Sequence, residues 1–291
     1  MGLHPFAIPQ GIDDLPQYVF IGLPAFESHN ALLLPLAAHE LAHAVWRRKN
    51  IEGGAANNLL IQMKSIFDHN KPKFLKAFPE YKEGDLVSQQ LLDENVEAAI
   101  AISLRQAEEI FCDMLALALF GESYVRAFEY ILSPGLGAVR RADYPPMSVR
   151  VEFLRWAAKE KVAGFISEEF MKEYIERPLI QNERNQFIDE MAQQGLHALR
   201  GALWTEVSRL IADANIPRPN SSQQMKCHAM FERGVPHPQP ASLADVLNAG
   251  WKRFDSIING DNDDTRRDQL AQLNDMIFKT IEIMEFQLRT Q

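Results

Sequence analysis

Apolar positions recur every three or four residues through most of the chain, which predicts a mainly α-helical protein. In the run from Leu86 to Phe120, Val96, Ile100, Leu104, Ala107, Phe111, Met114 and Ala118 share one helical face, and Gly121 ends it. A second strong segment starts at a cap, Ser28 or Asn30, and continues through ALLLPLAAHELAHAVWRR to about Asn50. Pro35 falls early in it and suits a true first turn. Further helices are predicted at 55–78 (closed by Pro79), 122–132, 147–160, 167–175, 182–213, 243–258 and 264–289. One extended segment, Tyr18-Val19-Phe20-Ile21, interrupts a proline- and glycine-rich start.

Two proline clusters, IPRPNSSQQ at 216–224 and GVPHPQPAS at 234–242, read as irregular connecting chain. They divide the sequence into a helical domain at 1–213, a proline-rich linker at 214–242 and a C-terminal helical pair at 243–291. A hydrophobic share of 46% against 24% charged is the balance of an ordinary globular protein, able to enclose a dry site. The net charge of −9 and the lack of a Lys/Arg-rich run argue against nucleic acid or an anionic membrane as partner. Apolar residues never run unbroken long enough to span a bilayer, and the first residues lack the basic and apolar regions of a secretory signal. Cys112 and Cys227 are the sole cysteines, too few for a disulfide framework, so a reducing cytoplasm is the expected location.

Within the second segment stands His39-Glu40-Leu41-Ala42-His43, an H-E-x-x-H pattern. Spacing of four puts both imidazoles on one helix face, near enough to chelate a single ion. Glu40 is rotated from His39 by about 100°, so it reaches a water at the metal rather than the metal itself. Ala37, Ala38, Ala42 and Ala44 leave room for close packing, and LLLPLAA and AVW mark the helix as buried. Two surface histidines on a solvated helix would not be flanked in this way, because buried polar groups need partners.

Two histidines and a water leave tetrahedral zinc one protein ligand short. No third histidine occurs from Ala44 to Gly54. The strongest supplier is Glu108-Glu109-Ile110-Phe111-Cys112-Asp113, where Glu109 and Asp113 stand four apart on one face. Glu109 is then the third ligand, and Asp113 accepts the other ring N–H of a ligating histidine. Glu108 competes for the ligand role but has only Cys112 as its i+4 neighbour, and Asp93, Glu94, Glu97 and His69 remain as alternatives.

The pair of motifs, His39-Glu40-x-x-His43 and Glu109-x-x-x-Asp113, resembles the gluzincin metallopeptidases. The likeness is greatest to the HtpX-like and CAAX prenyl peptidase type, whose second motif reads E-x-x-A-D; Cys112 stands where that type usually has alanine. Its downstream H-P-P-x-x-x-R-I is similar to Tyr144-Pro145-Pro146-Met147-Ser148-Val149-Arg150-Val151, with tyrosine replacing histidine. The resemblance covers roughly residues 30–155. It implies a zincin-like core, zinc held by His39, His43 and Glu109, and hydrolysis of peptide bonds in a protein or peptide substrate. Glu40 would serve as general base and Tyr144 would steady the oxyanion. The transmembrane helices of membrane-bound members are missing.

Two other readings stay open. One is a zincin scaffold that regulates or interacts without turnover, although an intact Glu40 speaks against it. The other is a zinc hydrolase of a non-peptide amide, which the same motifs would serve. A regulatory partner or trigger is compatible with the C-terminal helices. Cys112 reads as a small core residue, Cys227 and His228 are adjacent and so poorly placed to chelate together, and His237 reads as solvated. His4, His29, His69 and His197 have no evident partners in the sequence.

Overall fold

The computed structural model describes residues 6–8, 20–22, 27, 29–132, 140–159, 166, 169–172, 174, 176–177, 179, 181–239, 242–260 and 263–290. Its architecture is mainly α. A hairpin of two three-residue strands, β1 (Phe6–Ile8) and β2 (Phe20–Gly22), pairs antiparallel with Ala7 opposite Ile21. Helices follow as α1 (Pro35–Arg48), α2 (Ile51–Ala77), α3 (Leu86–Phe120), α4 (Glu122–Leu132), α5 (Met147–Ala157), α6 (Glu183–Asp213), α7 (Ser221–Glu232), α8 (Leu243–Ile258) and α9 (Asp263–Thr290). No described helix is long and apolar enough to cross a membrane.

The start of α1 follows local chemistry. Asn30 accepts the N–H of Leu32 and caps a 3-10 turn at Ala31–Leu33, after which Pro35 opens the α-helix at a position needing no donor. Asn50, with φ of 52°, then turns the chain from α1 into α2. Asp85 caps α3 by accepting the Ser88 N–H, and Gly121, with φ of 61°, ends it and admits α4 at once.

From Gln106 to Ala118 every residue of α3 is buried, so this stretch is the central helix of the core. It packs against α1, α4, α5, α6 and α8. Trp46 of α1 lies against Phe111 of α3 at 5.3 Å between ring centroids, which fixes the two helices beside each other. Gly195 of α6 admits a close crossing, since a Cβ there would meet Ser103 Oγ at 2.7 Å; that hydroxyl donates to the carbonyl of Ala192.

Three expectations change. β1 was not foreseen, and of the extended segment expected at Tyr18–Ile21, Tyr18 and Val19 lie outside the described residues. The helix expected at 167–175 lies partly outside them, and residues 169–172 within it form a turn. The stretch expected as linker contains α7, capped by Asn220 accepting from the N–H groups of Ser222 and Gln223. Only Cys227 and Phe231 of α7 are buried, too few to leave an apolar period in the sequence.

Candidate metal centre

One face of α1 carries His39 and His43 a turn apart, their rings edge to face at 5.2 Å between centroids. Opposite, the buried stretch of α3 presents Glu108, Glu109, Cys112 and Asp113. His39 Nε2 stands 3.5 Å from one Glu109 oxygen, and His43 Nε2 stands 3.8 Å from the other. In a tetrahedral zinc site with bonds of about 2.0–2.2 Å, neighbouring ligand atoms are about 3.4 Å apart. Each histidine Nε2 therefore stands from Glu109 at nearly the separation of neighbouring ligands in such a centre, each facing a different oxygen of the carboxylate.

Both histidines are anchored through their other nitrogen. His39 Nδ1 lies 3.0 Å from Asp113 Oδ1, and His43 Nδ1 lies 3.0 Å from Glu108 Oε1. With each Nδ1 turned to a carboxylate, each Nε2 faces Glu109. The carboxylates are anchored in turn. Arg150 of α5 donates to both oxygens of Asp113 at 2.7 and 2.8 Å, and the Tyr124 hydroxyl of α4 donates to Oδ1 at 2.6 Å. Arg47 Nε, one turn beyond His43, lies 3.7 Å from Glu108.

The electrostatics favour a cation. Burial alone would lower the His39 pKa, but hydrogen bonds to Asp113 and Glu109 and their charges outweigh it and raise the pKa to about 9. Burial opposes ionisation of Asp113 and Glu109 as well. The Arg150 guanidinium nevertheless holds Asp113 well below the usual carboxylate range, and the His39 hydrogen bond lowers Glu109. Glu40 is 8% exposed and is pushed up, chiefly by burial, against the pull of both histidines. Tyr124 is raised well above its ordinary value by burial and by Asp113, so it stays a neutral donor. Glu40, Glu108, Glu109 and Asp113 thus surround two imidazoles, with Arg47 and Arg150 as the paired guanidiniums. Such a donor set, oxygen and nitrogen with excess negative charge, fits a divalent ion.

His39, Glu40, His43, Glu109 and Asp113 all meet here. Tyr144 stands on the loop before α5, 42% exposed, with the Arg141 guanidinium 5.3 Å from its ring centroid. The charge of Glu109, followed by burial, raises its phenol pKa. Asp93, Glu94 and Glu97 lie on an exposed part of α3 three turns or more before Glu109, and His69 is exposed on α2; none joins the centre.

Glu108, weighed as a rival ligand, instead bonds His43. That contact crosses between helices, which spacing along α3 does not report. Cys112 is buried in the core, as its reading expected, and it also stands beside the two histidines. His39, His43 and Cys112 each offer a ligand atom, and these atoms lie within 4.8 Å of one another. His237, expected in solvent, is buried, its N–H donating to Thr280 Oγ1 of α9. His4 lies outside the described residues. Comparison with protein-family models, curated proteins and solved structures gives no significant match.

Proposed function

We propose that this chain is a zinc-dependent metallopeptidase with a zincin-like core, its metal held by His39, His43 and Glu109. The supporting observation is the convergence of both Nε2 atoms on one Glu109 carboxylate, while Asp113 and Glu108 hold both Nδ1 atoms. Zinc bound there would supply a Lewis acid that polarises a carbonyl and brings the pKa of a water to roughly 7.

The remaining work falls to the side chains. Glu40 takes the proton of the attacking water and later delivers it to the leaving amine. Burial raises its pKa, the direction that strengthens it as a proton acceptor. Asp113 and Glu108 keep the imidazole rings in one orientation, and Arg150 keeps Asp113 ionised. Tyr144 donates its phenol hydrogen to the carbonyl oxygen as charge develops there. The substrate is a protein or peptide, and the expected setting is the cytoplasm.

Metal analysis of purified protein beside N-terminal profiling of cells making wild type or Glu40→Gln tests this reading. One equivalent of zinc in both proteins, with new N-termini only for wild type, is expected. Equal metal in wild type and His39→Ala would overturn the site. Identical N-termini with and without Glu40 would overturn the activity.

A further inference from the structure

We propose that Cys112 is a reserve ligand of this centre, whose thiolate closes it with a fourth protein donor and holds it in a resting form. The inference rests on the metallopeptidase reading and adds a means of regulating that site. Cys112 lies three residues after Glu109 on α3 and has no exposed surface. Its sulfur is within 4.8 Å of a ligand nitrogen of both His39 and His43. A tetrahedral centre with a metal–sulfur bond of about 2.3 Å would set sulfur and nitrogen about 3.6 Å apart. Rotation about the cysteine Cα–Cβ bond moves sulfur by more than the remaining gap.

The position favours this role over a plain core thiol, since the buried sulfur stands within reach of both imidazoles on the same stretch of α3 as Glu109. A cation bound there would deprotonate a coordinating thiol outright. On ligation the S–H bond breaks, its electron pair becomes the sulfur–metal bond, and the proton passes to solvent. With His39, His43, Glu109 and Cys112 all engaged, a four-coordinate ion keeps no position for the water that Glu40 must activate. Swinging the thiol away restores three protein ligands and an open position, the arrangement of catalytic sites.

Cobalt(II) reports each part of this without a substrate. The full chain is stripped of metal and reloaded with one equivalent of cobalt, as wild type, Cys112→Ser and Cys227→Ser. Wild type and Cys227→Ser should show a near-ultraviolet thiolate-to-cobalt charge-transfer band. Cys112→Ser should bind cobalt and lose that band. Azide should leave the visible bands of wild type unchanged and shift those of Cys112→Ser, where a position is open. Cobalt bound by wild type without charge transfer overturns the ligand assignment, as does a band that survives in Cys112→Ser. An azide shift in both proteins overturns the closure. Failure of wild type to bind cobalt overturns the metal reading itself. Should Cys112→Ser not fold, Cys112→Ala replaces it, and the wild-type spectrum stands on its own.

Discussion

At the scale of single residues, the adjacent Glu108 and Glu109 do different work because successive helical positions point about 100° apart. Glu109 faces both Nε2 atoms, whereas Glu108 reaches His43 Nδ1. Zinc affinity should therefore fall most in Glu109→Ala, and by roughly 10–100-fold in Asp113→Ala and Glu108→Ala, which only orient the rings. Competition with a chromophoric chelator would rank the three, and a larger loss in Glu108→Ala would exchange the two glutamate roles. Tyr144→Phe should reduce kcat by about 10²–10³-fold with zinc content and Tm near wild type, the cost of one lost oxyanion donor. Full turnover in that variant would leave Tyr144 a structural role. His39, Glu40 and His43 were legible because their spacing is local to one helix. Glu109 and Asp113 were legible because two acids four apart in an apolar run need a reason to be there. The partners Glu108, Tyr124 and Arg47 were not legible in the same way, since each contact joins different elements and only folding decides it.

Between elements, the centre depends on α1 and α3 keeping their relative height, because one supplies the imidazoles and the other the carboxylates. Trp46 is 1% exposed and packs on Phe111, one residue before Cys112. Trp46→Ala should cost about 3–5 kcal/mol in a urea titration and weaken zinc binding as well. A destabilised variant with unchanged zinc affinity would mean that α1 and α3 are held in register by other contacts. The helices themselves were readable wherever an apolar stripe persisted, as in α3. α7 escaped because two buried residues make no stripe and its neighbours are prolines, and β1 escaped because three residues carry no alternation. At this scale a helix is visible in sequence in proportion to the surface it buries.

For the whole molecule, the C-terminal helices decide how far the site is an independent unit. Trp251 of α8 donates to the Leu32 carbonyl, and Asn274 of α9 accepts the Ala31 N–H, so both helices grip the turn that launches α1. Gly250 permits that approach, as a Cβ there would meet Ile277 at 2.7 Å and Leu32 at 2.9 Å. Arg126 of α4 also pairs with Asp255 of α8, linking the pair to the helix that carries Tyr124. Val246, Leu247, Trp251, Leu273 and Ile277 are all buried. Each such side chain contributes about 1.5–3 kcal/mol on burial, so together they rival the 5–15 kcal/mol that typically separates folded from unfolded chains. A chain ended after residue 239 should therefore lose cooperative unfolding near the wild-type Tm and hold less than one equivalent of zinc. A separable appendage would behave otherwise, leaving Tm and metal content unchanged in the shortened chain. Calorimetry and metal analysis on the same preparation distinguish the two. The milder Gly250→Val should give the same direction of effect, about 1–3 kcal/mol, by forcing α8 away from the start of α1.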